Sequence, residues 1–106
     1  MGRRVKRGEV WWARVDKRRP VVLVSRQEAY AIRAMIVVVP ATTTLRGYAV
    51  EVRIGRREGV PRECVVNCDW LATIPKADLI ERAGTLSAKK LRSLDDALRF
   101  ALGLEI

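Results

Sequence analysis

EVWWARV (Glu9–Val15), the basic turn DKRR (residues 16–19) and PVVLVS (Pro20–Ser25) decide the fold class. Aromatic and β-branched residues stand on both sides of a tight turn, the pattern of two antiparallel strands joined as a hairpin. Adjacent Trp11 and Trp12 point to opposite faces of such a strand, so at most one of them faces the core. Outward from the hairpin, MIVVV (Met35–Val39) is a third strand, closed by Pro40 and a polar ATTT segment. YAVEVRI (Tyr48–Ile54) alternates apolar and polar residues as a half-buried antiparallel strand does. After the turn GRREG come ECVVN (Glu63–Asn67) and DWLATI (Asp69–Ile74), and a last strand includes Leu79–Ala83. Pro20 and Pro40 are expected at strand ends, where the missing N–H breaks no ladder.

One helix follows. Ser87 is a capping residue, with Leu86 and Leu91 at the positions of a hydrophobic staple. Leu91, Leu94, Ala97, Leu98, Ala101 and Leu102 recur at helical spacing, and Gly103 stands where a C-terminal cap belongs. Short strands plus one amphipathic helix predict a mainly β chain, a small curled antiparallel sheet or open barrel with the helix packed on it.

At 106 residues, 49% apolar and 31% charged, the chain fits one globular domain spanning 1–106. No stretch approaches the ~20 apolar residues of a membrane-spanning helix. The basic N-terminus does not read as a secretory signal, so a cytoplasmic location is expected. The net charge is +9, and residues 1–26 hold nine basic residues against two acidic ones. Such a one-sided field draws a polyanion: a nucleic acid, or equally an acidic protein. Histidine is absent, which excludes histidine acid–base chemistry and histidine-ligated metal sites. Cys64 and Cys68 on one strand would lie about 13 Å apart, too far for a disulfide. They read as reduced, buried apolar residues, and no metal or other cofactor is expected.

Three segments are candidates for chemistry. In Lys17-Arg18-Arg19-Pro20, an arginine restricted by the following proline can aim its guanidinium at a phosphate; a solvated basic turn is the plain alternative. In Pro40–Gly47, threonine hydroxyls leave a buried strand with Arg46 nearby, as they also would in an ordinary polar loop. In Asn67-Cys68-Asp69-Trp70, the aspartate can accept a proton while the indole stacks on a base, or both can be structural.

Taken in order, RGEVWWARVD, RRPVVLVS, VVVPATTTLRGYAVEV, VVNCDWLATIP and the amphipathic helix closely resemble the MazF/PemK/Kid toxin family, from Arg7 to about Leu102. The most specific pieces are RGEVW, RPVV, VVxxTT and CDxxxTI. The resemblance implies a small SH3-like barrel, a homodimer, and an endoribonuclease that cuts single-stranded RNA at short motifs. It also implies a cognate antitoxin with an acidic, disordered tail. By position, Arg19 matches the family's catalytic arginine, Thr42 its catalytic threonine, and Asp69 an acidic site residue of Kid-type members. Lys17, Arg18, Thr43 and Arg46 are the expected RNA contacts. Two departures stand out. The loop between the first two strands is cut to Asp16-Lys17-Arg18, and Asn67 stands where Kid-type members carry arginine. A positive charge there must come from Arg46 or Arg18, or is absent.

These residues suit a metal-independent cleavage in which the RNA supplies its own 2′-OH nucleophile, leaving a 2′,3′-cyclic phosphate and a 5′-hydroxyl. Arg19 clamps the phosphate, Thr42 donates to an oxygen gaining charge, and Asp69 is an easier proton acceptor than a guanidinium. Two other readings use the same fold: a CcdB-like gyrase-targeting toxin, and a non-catalytic RNA-binding SH3-like module.

Overall fold

A computed structural model describes residues 4–104. Arg3, one of the nine N-terminal basic residues, lies outside them, as do the ends of the 1–106 span. The strands are β1 (Glu9–Arg14), β2 (Arg18–Leu23), β3 (Met35–Thr42), β4 (Glu51–Ile54), β5 (Cys64–Asn67), β6 (Ala72–Pro75) and β7 (Leu79–Thr85). They form one antiparallel sheet in the order β4-β5-β3-β2-β1-β7, with β6 also on β3. A helical turn, α1 (Ala29–Ile32), links β2 to β3, and α2 (Ala88–Leu102) follows β7. The mainly β architecture with one C-terminal helix is therefore the expected one, a sheet curled into a half-barrel.

β3 organises the curl. One edge pairs with β2, while the other pairs with β6 along its first half and with β5 at Ala41 and Thr42. Pro20 and Pro40 fall inside β2 and β3 rather than at their ends. Pro20 pairs with Trp12, but the β2–β3 ladder begins only at Val21. Pro40 sits in the gap between the β6 ladder, which ends at Val38, and the β5 ladder, which begins at Ala41. Each proline nitrogen thus faces an edge with no ladder bond to lose.

The sheet buries both faces. Val10, Val22, Val39, Val52 and Ile54 pack with Leu94 and Ala97 of α2, while Trp11, Val21, Leu23, Ile36 and Val38 pack on the opposite side with Tyr30 and Leu79. Burial on both sides explains the unbroken apolar runs VVLV and IVVV, while Met35 at the start of β3 is exposed. Ser87 caps α2, its hydroxyl accepting the Lys90 N–H at 3.1 Å, and Gly103 closes it in the left-handed conformation. Leu91, Leu98 and Ala101 pack against the core as expected; Leu102 is exposed.

Two strands are shorter than the sequence pattern predicts. Tyr48–Val50 is a turn because the Glu51 carboxylate accepts the N–H groups of Arg46, Gly47 and Tyr48 at 2.7–3.2 Å. Asp69 and Trp70 form a second turn, where the Asp69 N–H donates to the Asn67 side chain and the Trp70 N–H to the Asn67 carbonyl, both at 2.9 Å.

The half-barrel closes at a glycine seam. Gly59, with φ +87°, follows the helical turn after β4 and lies directly on β7. A Cβ there would overlap the Ala83 carbonyl, and one on Gly84 would meet the Glu58 carbonyl. Only residues without side chains allow this approach. Val60, Pro61 and Arg62 run on from the seam into the site.

Candidate functional site

The β2–β3 register decides what converges. Val21 lies opposite Pro40, and the same register continued by two residues sets Arg19 across from Thr42. The side chains agree: Arg19 Nη1 donates to the Ala41 carbonyl at 3.1 Å. Arg19 and Thr42 share a groove of about 180 Å³ with Lys17, Arg18, Thr43 and Arg62. Trp12 and the Val60–Pro61 segment complete its walls.

Arg19 is held from three sides. Its Nε and Nη2 donate to the two carboxylate oxygens of Asp16 at 2.7 and 2.8 Å, and its guanidinium lies 4.9 Å from the centre of the Trp70 ring. The side chain is only 17% exposed. These contacts leave one hydrogen on each terminal nitrogen, enough for a two-point contact with phosphate oxygens. The Arg19 hydrogen bonds hold the Asp16 carboxyl well below the usual carboxylate range, and the same pairing raises the arginine further.

Thr42 ends β3, half-buried, with its hydroxyl accepting the Thr44 N–H at 3.3 Å. That bond uses a lone pair and leaves the O–H proton for a ligand. Arg18 lies 4.3 Å from the centre of the Trp12 ring and pairs with Glu81 at 3.3 Å. Trp11 is the tryptophan that faces the core, 6% exposed, and Trp12 is the one that lines the groove.

Of the residues singled out by sequence, Arg19, Thr42, Lys17, Arg18 and Thr43 come together. Arg46 does not line the groove; it sits on the exposed turn wound around Glu51. Asp69 is also off the groove lining, exposed on the turn whose next residue, Trp70, stacks with Arg19. A further basic residue of the groove is Arg62, which the sequence pattern does not single out. Asp16 was missed as well, although a carboxylate three residues before an arginine in a tight turn is a readable signal. Cys64 and Cys68 are free, unbridged and buried, as their spacing implied. Among the described residues no group of three or more Cys, Asp or Glu side chains is arranged to hold a metal ion.

The chain belongs to the family of PemK-like, MazF-like toxins of type II toxin–antitoxin systems, whose model matches residues 6–102. Among characterised relatives it is similar to the probable endoribonuclease MazF5 of Mycobacterium tuberculosis (strain ATCC 25618 / H37Rv), 38% identical over 91% of each chain. It is 37% identical to endoribonuclease MazF3 of the same species (strain CDC 1551 / Oshkosh), over 88% of this chain and 90% of that one. Among solved structures, Mycobacterium tuberculosis toxin MazF-mt6 superposes with a TM-score of 0.88 at 35% identity, covering 92% of this chain and 99% of the other. A mycobacterial endoribonuclease in complex with its cognate antitoxin gives 0.86 at 27% identity, covering 96% and 98%.

Proposed function

We propose that this toxin is an endoribonuclease that cuts single-stranded RNA at a short sequence motif. The observation that carries the reading is the shared groove of Arg19 and Thr42. It acts in the cytoplasm as a homodimer of single-domain chains, without a metal or other cofactor, and is silenced by an antitoxin with an acidic, disordered tail. The 2′-OH beside the scissile phosphate attacks phosphorus in line as its proton passes to a carboxylate, and the bond to the 5′-oxygen breaks, that oxygen taking a proton from solvent water. The products are a 2′,3′-cyclic phosphate and a 5′-hydroxyl. Arg19 presents its two free N–H groups to the phosphate and neutralises it. Thr42 donates a hydrogen bond from its hydroxyl to a phosphate oxygen gaining charge; loss of one such donor typically costs about 10²–10³ in rate.

Asp69 is the proposed acceptor of the 2′-OH proton, on the turn whose next residue, Trp70, stacks with Arg19. Asp16 is less suited, because its pairing with Arg19 makes it a weak base. Lys17, Arg18 and Thr43 hold neighbouring phosphates, and Arg62 supplies the positive charge that Asn67 lacks. Trp12 offers a face for a base, with stacking of this kind worth ~1–3 kcal/mol. Arg46, on its separate turn, is assigned to a more distant phosphate.

Purified protein incubated with a defined single-stranded transcript in EDTA tests the reading. Discrete fragments with cyclic phosphate ends, lost in Arg19→Ala and reduced in Thr42→Ala and Asp69→Asn, are expected. Intact but retarded RNA would leave a passive RNA-binding module, and no effect on RNA would leave a gyrase-targeting toxin. Full activity in Arg19→Ala would remove the clamp, and full activity in Asp69→Asn would remove the acceptor.

A further inference from the structure

The turn GRREG, left without a role by the groove, opens a second cleft of about 650 Å³. Its lining includes five cations, Arg53, Arg56, Arg57, Arg62 and Lys90, and two carboxylates, Glu58 and Glu63. Both carboxylates are engaged. Glu58, buried, accepts the Gly55 N–H at 2.7 Å and pairs with Lys90 at 3.5 Å; Glu63 pairs with Arg53 at 3.4 Å. Arg56, Arg57 and Arg62 have no carboxylate partner among the described residues. Exposed guanidiniums gathered in one cleft repel one another, a cost that a bound polyanion relieves.

The cleft is not a separate site. Pro61 and Arg62 line both it and the Arg19–Thr42 groove, so Arg62 is a positive charge common to the two. No aromatic side chain lines the second cleft. It therefore offers charge and no stacking surface, which suits sugar–phosphate backbone rather than bases.

We propose that the Arg56–Arg57–Arg62 cleft is a second RNA-backbone site that binds phosphates flanking the scissile bond, independently of sequence. The proposal rests on the endoribonuclease reading and extends it. The short motif in the groove selects where the strand is cut; the cleft selects for length, favouring long strands over short oligonucleotides. An acidic polypeptide would also meet the charge, but continuity with the cleavage groove favours the strand being cut.

The test uses the full chain and two RNAs carrying the same mapped cleavage site: one just long enough for the groove, the other extended on both sides. The double variant R56A/R57A changes two exposed side chains, and cleavage of the short RNA reports that the groove is intact. Wild-type protein is expected to cut the long RNA with the higher kcat/KM and with the steeper dependence on salt. The variant should match wild type on the short RNA. On the long RNA its slope of log kcat/KM against log salt should be shallower by about 0.7 per lost phosphate contact, so about 1.4 for two. R56K/R57K, which keeps the charge, should restore the slope.

A variant that cuts both RNAs as wild type does overturns the second site. If that variant at the same time resists inhibition by poly-glutamate, the cleft belongs to an acidic polypeptide instead. Wild-type protein that cuts neither RNA overturns the nuclease reading itself, a result distinct from failure of the cleft.

Discussion

Asp16 grips Arg19 through two parallel hydrogen bonds, Nε to Oδ1 at 2.7 Å and Nη2 to Oδ2 at 2.8 Å, across a turn of three residues. The two are an ion pair and a splint at once. The carboxylate fixes the plane of the guanidinium, and the Ala41 carbonyl fixes its reach toward β3. The same carboxylate also offsets part of the positive charge of the groove. Loss of Asp16 should therefore separate orientation from attraction.

In Asp16→Ala the guanidinium gains freedom but keeps its charge. We expect kcat to fall by about 10²-fold, the usual scale for a misplacement near 1 Å, with KM unchanged or lower. Asp16→Asn, which retains one acceptor, should recover part of the loss. Steady-state cleavage of a fluorogenic RNA measures the split, and an unaltered kcat in the alanine variant would show that Arg19 needs no splint.

The pair also has a pH signature. Because Arg19 holds the Asp16 carboxyl below its ordinary range, the pair's contribution to stability is full above the unfolded value, about 3.9. It is lost only as the pH falls through the depressed folded value. The difference in Tm between wild type and Asp16→Asn should be constant from about pH 8 to 5 and shrink in stronger acid.

Tyr30 acts at the opposite end of the scale. Burial pushes its phenol to about 12, against the opposing pull of Arg7. The hydroxyl lies near the Ser25 backbone but in no hydrogen-bonding geometry. A raised folded value makes this contribution full below about pH 10 and lost as the pH climbs toward 12. Tyr30→Phe should cost little at neutral pH and lack this alkaline loss, as denaturant titrations at pH 8 and pH 11 would reveal.

The two thiols should be silent in the native protein. Burial, with Glu58 and Glu63 adding to it, pushes Cys64 up; burial and Asp69 push Cys68 to about 11. A thiol-specific chromogenic reagent at pH 8 should label neither until denaturant is added, then both. Labelling of the folded chain would contradict the burial of Cys64 on β5 and of Cys68 just beyond it.

At the seam, Gly59→Ala forces a positive φ on a residue with a side chain and drives its Cβ into the Ala83 carbonyl. We expect a loss of about 3 kcal/mol. Gly103→Ala, whose added Cβ meets open space beyond α2, should cost clearly less. Comparable Tm values for the two variants would count against a tight closure.

The hairpin, the long central strand and the capped helix were legible in the sequence because each carries a local signal: a tight turn between strand formers, an unbroken apolar run, a capping serine. The turn at Tyr48 was not, because its cause is a carboxylate three residues further on that captures three N–H groups. Alternation cannot report such a capture. Pro20 and Pro40 were misjudged for a similar reason: a proline is tolerated wherever the neighbouring ladder stops, and ladder ends are a tertiary property. In the site, Arg19 and Thr42 were found through family resemblance and fall together through strand register. Trp12 and Arg62 needed the fold, since nothing in their immediate sequence marks them as groove walls.

Val60, Pro61 and Arg62 follow Gly59 of the closure directly in sequence and line the groove. The position of this wall therefore depends on the close approach of Gly59 to β7. Shape of the groove and integrity of the barrel are coupled. A substitution far from Arg19 that loosens the closure will look, in a growth assay, like a defect in chemistry.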